Sequence, residues 1–298
     1  MKTKIGSMIV IITLLVVLAR ICSSCGKGDD ETTNGISGNN EKESVPEVVE
    51  SKGKLPLNLN VFIDLSDRIV KNRDGLRQDV KDLEILKTIA QYVGHKAQSG
   101  NIKIARDHMK VLFYPAPVDS DIDKRAKALE VDFGSFTKKD LVAKLQRAND
   151  LASDFNKDLQ VIYNNAIEQH NFTGSDIWGF FNSKVNNYCV REGFRNVLVI
   201  LTDGYILDEN HMVQDANSAN YLTKSSLTKG LSLMPTGQKV DNLEVLVLEV
   251  NADPVGDFTR IQSTIAEWLN GMGIKTCKIA ETDLPANTKV LIEDFLKK

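Results

Sequence analysis

Asn196-Val-Leu-Val-Ile-Leu201, running into Thr202-Asp203-Gly204, is the stretch whose reading decides the fold. Five consecutive apolar residues leave no polar face, the pattern of a strand covered on both sides in a parallel sheet. Leu243-Glu-Val-Leu-Val-Leu248 repeats it, and Leu57-Asn-Leu-Asn-Val-Phe-Ile63 gives an earlier strand. Between them lie helical periodicities. Leu83, Leu86, Ile89, Ala90 and Val93 share one face. Further helices are predicted from Thr137, an N-cap, with interruptions toward Glu168, over 177–190 and 258–269, and over 290–296 at the close. Weaker strands are predicted at 110–114, near 129–133 and, as an edge, at 275–280. Strands alternating with helices imply an α/β fold: a three-layer, doubly wound, mostly parallel sheet with helices on both faces. Ligands of such sheets bind beyond the carboxyl ends of the strands.

The domain organisation reads outward from there. No internal repeat or second linker interrupts 57–298, which forms one domain. Ahead of it, Lys2 and Lys4, the apolar run Met8–Ala19 and the small residues Ser23-Ser24 follow the order of an export signal, assigned to residues 1–24. The run is about 12 residues long, short of the about 20 a membrane span needs. The site before Cys25 resembles a bacterial lipobox, which implies diacylation of Cys25 and attachment to a membrane. It departs from that pattern at Cys22, where a Leu is usual, so cleavage without lipidation stays open. Residues 25–56 are polar and expected to stay disordered, a tether of about 30 residues reaching about 100 Å. Its acidic Asp29-Asp30-Glu31 resembles the surface-export signal of Bacteroides-group lipoproteins. The resulting location is the cell envelope, either the periplasmic side of the outer membrane or the cell surface.

Composition excludes several classes. With 37 Lys and Arg against 40 Asp and Glu, and no basic cluster, a nucleic-acid partner is not expected. Cys189 and Cys277 are the two cysteines beyond Cys25, too few for a disulfide scaffold or a zinc site, and read as buried thiols, with pairing left open. The four histidines are scattered, and there is no nucleophile elbow, P-loop or dinucleotide fingerprint. Asp119, Asp121, Asp123 and Glu130 have the spacing of a calcium loop, but Lys124 stands where its glycine should be, so a solvated acidic turn is expected. Trp178, Phe180 and Phe181 read as core, with one able to reach the ligand edge as a partner anchor. The long polar stretch 206–233 reads as a surface excursion or part of a binding surface.

Two strands end in oxygen-bearing residues at the ligand edge: Asp64-Leu-Ser66 after the first, Thr202-Asp203-Gly204 after the central one. Asp and Ser oxygens suit a hard divalent ion such as Mg²⁺ or Mn²⁺, and Gly204 allows a sharp turn. With Thr173-Gly174-Ser175 opening a mid-chain helix, these motifs resemble, in order, the metal-ion-dependent adhesion site of von Willebrand factor A domains. The resemblance covers nearly the whole folded part. It implies a Rossmann-like topology, metal ligation by Asp64, Ser66, Ser175 and Asp203, and a protein partner whose carboxylate completes the coordination. The departure is at Arg68, preceded by Asp67, where the family has a second Ser. Arg68 either swings away and leaves a metal site, or pairs with Asp64 or Asp203 and replaces the metal; Thr202 and Asp67 would modulate either arrangement. The expectation is therefore an anchored, non-enzymatic binding protein. Its rivals are an envelope hydrolase using Asp64 or Asp203 as base, a metal-free scaffold subunit, and a set of polar residues that merely cap helices and turns.

Overall fold

The computed structural model describes residues 54–73, 75–172, 174–206, 239–251 and 258–298, all within the compact unit Lys52–Lys298. The export signal, Cys25, most of the tether, Thr173 and the stretch 207–238 lie outside the described residues. In chain order the elements are β1 (Leu57–Ile63), a 3₁₀ turn Asp67–Val70, β2 (Asn72–Arg73), β3 (Leu76–Arg77), α1 (Gln78–Asn101), β4 (His108–Leu112), α2 (Ser120–Ala128), β5 (Glu130–Asp132), α3 (Leu141–Glu168), α4 (Ile177–Ser183), α5 (Val185–Cys189), β6 (Arg195–Leu201), β7 (Leu243–Val250), α6 (Phe258–Gly271), β8 (Thr276–Glu281) and α7 (Pro285–Leu296).

Six strands form one sheet in the order β5-β4-β1-β6-β7-β8, while β2 and β3 pair as a separate hairpin. All neighbours in the large sheet are parallel except β4 and β5. Counted along the chain, its strands therefore run 3-2-1-4-5-6, the doubly wound order in which the winding reverses between the first and fourth. That switch point lies between β1 and β6, where Leu57–Ile63 pairs with Arg195–Leu201.

The side-chain period of two splits β1 between two cores. Leu57, Leu59, Val61 and Ile63 join α1, α3 and α7 on one face. Phe62 joins Leu198, Ile200 and the residues of α4, α5 and α6 on the other. The fold is thus a three-layer α/β sandwich. Trp178, Phe180 and Phe181 are all core: Trp178 stacks on Trp268 at 5.9 Å between ring centres, and Phe180 meets Phe62 at 4.9 Å.

Four expectations are corrected. α3 is uninterrupted from Leu141 to Glu168, because its buried positions Ala148, Leu151, Phe155, Leu159, Ile162 and Ala166 keep helical spacing and its weak helix formers fall between them. Thr137 caps the short 3₁₀ turn ahead of α3, in a capping box with Asp140. In place of a solvated acidic turn after Asp119 there is the helix α2, with Asp119 as its N-cap, accepting from the amides of Asp121 and Ile122. The strand expected at 110–114 begins and ends two residues earlier, giving way to the cis Tyr114–Pro115 bond. Cys189 and Cys277 are both free thiols. Among the described residues no helix is long and apolar enough to cross a membrane.

Candidate functional site

The carboxyl ends of β1, β6 and β7 carry the site. The ladder continues one step past each strand: the Asp64 amide donates to Leu201 O at 3.0 Å, Thr202 to Leu248 O at 3.2 Å, and Asn251 to Asp203 O at 2.9 Å. These bonds fix Asp64, Thr202, Asp203 and Asn251 side by side along the switch-point edge. Gly204 then turns the chain at φ +92; a Cβ there would stand 2.8 Å from Ile261 Cγ2, so a side chain is excluded by space as well as by backbone.

Asp64 is buried, and each of its oxygens has one donor. Oδ1 accepts from the Ser66 amide at 2.9 Å and Oδ2 from the Thr202 hydroxyl at 2.8 Å. Thr202 accepts in turn from the Gly204 amide at 3.1 Å. Burial raises the Asp64 carboxyl above its ordinary value; Arg68 acts to lower it and Asp203 to raise it further. Asp203 is also buried, with Lys71 Nζ at 3.6 Å from Oδ2. Lys71 is 44% exposed and reaches Asp67 as well, at 3.7 Å, so it belongs to the rim.

Arg68 does not swing away: it stays buried at the site, in ionic contact with Asp64 as well as with Asp82. Nε donates to Asp64 O, one residue beyond β1, at 2.8 Å, and Nη2 donates to Leu201 O, the last carbonyl of β6, at 3.0 Å. The fork itself grips Asp82 of α1, at 2.7 Å and 3.3 Å. Its Nε stays 3.8 Å from Asp64 Oδ2. Burial acts to lower the guanidinium, but Asp82 first and Asp64 second hold it above its ordinary value. Asp82 is completed by the Tyr163 hydroxyl at 2.8 Å and the Gln78 amide at 2.9 Å. Gln78 also bonds Glu249 at 3.0 Å, and Thr282 donates to the same Glu249 oxygen at 2.6 Å. Glu249 has φ +65, a conformation costing about 1–3 kcal/mol in a residue with a Cβ, held here by its buried partners.

The sequence-predicted ligands are thus partly gathered. Asp64, Ser66, Thr202 and Asp203 share one edge. Ser175 bridges Tyr114 just beyond β4 on that edge, and Gly174 lies against Leu65, a Cβ there falling 3.6 Å from Leu65 Cδ1. No side-chain bond joins Ser175 to Asp64 among the described residues. The Ser66 hydroxyl makes no capping bond, although Ser66 starts the 3₁₀ turn. Asp82, Tyr163, Gln78, Glu249 and Asn251 were missed. Asp82 had a signal: it sits in register with Ile85, Leu86, Ile89 and Val93, a charge on an apolar stripe.

The residue types suit a hard divalent ion, although among the described residues no group of three or more His, Cys, Asp or Glu side chains is placed to hold one. Their donors are carboxylate and hydroxyl oxygens. Around the switch point three buried carboxylates, Asp64, Asp82 and Asp203, face one buried guanidinium, and Asp82 already occupies its fork.

No family model matches the chain, and no curated protein matches it. Among solved structures, the pilus adhesin SpaC from Lactobacillus rhamnosus GG is similar at 11% identity over 83% of this chain, with TM-scores of 0.42 in one crystal form and 0.40 in its open conformation. This chain spans 30% of that adhesin's length. An aerotolerance-related membrane protein from Bacteroides fragilis, carrying multiple mutations to serines, is similar at 13% identity over 80% of this chain and 97% of its own, with a TM-score of 0.33. At these identities and TM-scores the likenesses assign neither family nor function. The α/β fold rests on the strand order and layering described above.

Proposed function

We propose that this protein is an envelope-anchored binding module of the von Willebrand factor A kind, held to a membrane through Cys25, that grips a protein partner at the carboxyl end of its sheet. Asp64, Ser66, Ser175 and Asp203 would hold a Mg²⁺ or Mn²⁺ ion, directly or through water, and an acidic side chain of the partner would complete its shell. The bound ion would supply a fixed positive charge for that carboxylate. The chain's own residues supply the rest. Thr202 and the Ser66 amide orient the Asp64 carboxylate, Gly204 presents Asp203, and Arg68 fastens the two strand ends.

The observation that carries this reading is the pairing of Arg68 with Asp82. Arg68 divides its charge between Asp82 and Asp64, and Lys71 reaches Asp203 only from the rim, so three buried carboxylates face two cations and negative charge is left over at the ligand edge. Buried charges of one sign call for a counter-ion.

The test is thermal unfolding during titration with Mg²⁺ and with Mn²⁺, Asp203→Ala serving as control. At 100 times Kd a ligand bound only by the folded state adds about 2.7 kcal/mol, roughly 5–10 °C for a domain of this size. The wild type is expected to shift and Asp203→Ala to stay put. A wild type indifferent to both ions would overturn the metal reading. It would favour the metal-free scaffold, in which Lys71 is the counter-charge to Asp203.

A further inference from the structure

We infer that Asn251 is a further ligand-contacting residue of the strand-end site, its side-chain oxygen reserved for the bound cation or one of the cation's waters. This rests on the reading of that edge as a cation site.

Asn251 is the first residue beyond β7, and its amide donates to the carbonyl of Asp203 at 2.9 Å, so the backbone holds it beside the residue that carries the carboxylate. It is buried, at 8% exposure, yet its Oδ1 has no hydrogen-bond partner among the described residues. Asn60 Oδ1 is the other such atom among the described residues, and it lies mid-strand within β1, away from the ligand edge. A buried acceptor without a donor is a loss to the folded state unless something outside the chain supplies the positive end. The carboxylates at this edge cannot supply it, because an ionised carboxylate only accepts. A divalent ion, or a water polarised by one, can, since amide oxygens are hard donors of the same kind as carboxylate oxygens.

The local backbone is re-aimed at the same place. Val247 pairs with Ile279 but Val250 with Glu281, so three steps along β7 match two along β8. The irregularity contains Glu249 at φ +65. Bulges of this kind occur where a strand must redirect a side chain beside a site.

The experiment compares the purified wild type with Asn251→Ala and Asn251→Asp, each titrated with Mg²⁺ and Mn²⁺ while melting temperature and heat of binding are followed. Asn251→Ala removes the unsatisfied acceptor along with the rest of the amide group, and without metal it should melt close to wild type. Its apparent affinity for the ion should fall about 10-fold, the range for groups that support a metal's ligands. Asn251→Asp keeps an oxygen and adds charge, and should bind at least as tightly as wild type. If wild type responds to metal and Asn251→Ala responds identically, the inference fails while the site stands. If both variants lose binding and melt lower without metal, Asn251 is structural and the inference is overturned. A wild type that ignores both ions overturns the site itself.

Discussion

At the scale of single residues, Arg68 holds the switch point closed. Arg68 donates to Asp64 O and adds a second donor to Leu201 O, which already accepts from the Asp64 amide, while pairing with Asp82. Removing it would strand a fully buried carboxylate. Arg68→Met is therefore expected to cost about 3–5 kcal/mol in urea unfolding. Tyr163→Phe removes one of several bonds to Asp82 and should cost about 1 kcal/mol. Equal losses from the two variants would mean the guanidinium is no more than another hydrogen-bond donor. The sequence made Asp64, Thr202 and Asp203 legible because each stands where an apolar run stops. It concealed the Arg68 network because the partners are remote: Asp82 meets Tyr163 across 81 positions and Gln78 meets Glu249 across 171. Periodicity reports which face a residue occupies, and Asp82 shows its face plainly. What it pairs with there depends on which helix lies opposite, and only the folded packing decides that.

At the scale of elements, the broad packing of α1 on α3 includes one close backbone approach. A Cβ on Gly94 would stand 2.3 Å from the carbonyl oxygen of Ala148, a backbone atom that cannot step aside. Gly94→Ala gains about 1 kcal/mol in helix propensity but must push the helices apart, at a cost of about 1–3 kcal/mol or more. The clash should win, and the variant should melt below wild type. Gly100, near the end of the same helix, has nothing within 4 Å of its would-be Cβ. Gly100→Ala should then raise stability by about 0.5–1 kcal/mol. Two identical substitutions in one helix thus have opposite expected signs, and calorimetry of the pair reads the packing directly. The helix was visible in its apolar spacing. The close approach was not, because a glycine in a helix looks the same whether or not another backbone crosses it. The acidic run after Asp119 is the converse case: the spacing that resembles a calcium loop is that of an N-cap and the first turn of a helix, which Asp and its neighbours suit equally well.

At the scale of the whole molecule, two buried or half-buried carboxylates pull the pH dependence in opposite directions. Glu130, on edge strand β5, is lowered to about 2, first by the His108 hydrogen bond and then, against the cost of burial, by Lys110. A depressed carboxylate adds stability above its unfolded value of 4.5 and gives it up as pH falls toward 2. Because its side chain is 35% exposed, Glu130→Gln should cost only about 1 kcal/mol at neutral pH, and nothing at pH 2. Asp64 has the reverse sign. Its folded-state value is raised, chiefly by burial, so its ionised form detracts from stability at neutral pH, and the deficit shrinks as pH falls through that raised value. An isolated domain has no use for such a residue, whereas a cation site needs it ionised. It follows that Asp64→Asn, whose one oxygen can accept from the Ser66 amide while its NH₂ donates to the Thr202 hydroxyl, should melt at or above wild type at pH 7 without metal and show no shift with Mg²⁺. In the wild type the Mg²⁺-induced shift should be larger at pH 8 than at pH 5, since ion and proton compete for the same oxygens. An Asp64→Asn protein that melts well below wild type in the absence of metal would show that the carboxylate is ordinary framework. The strand-end charge would then belong to the fold, with no ligand to account for it.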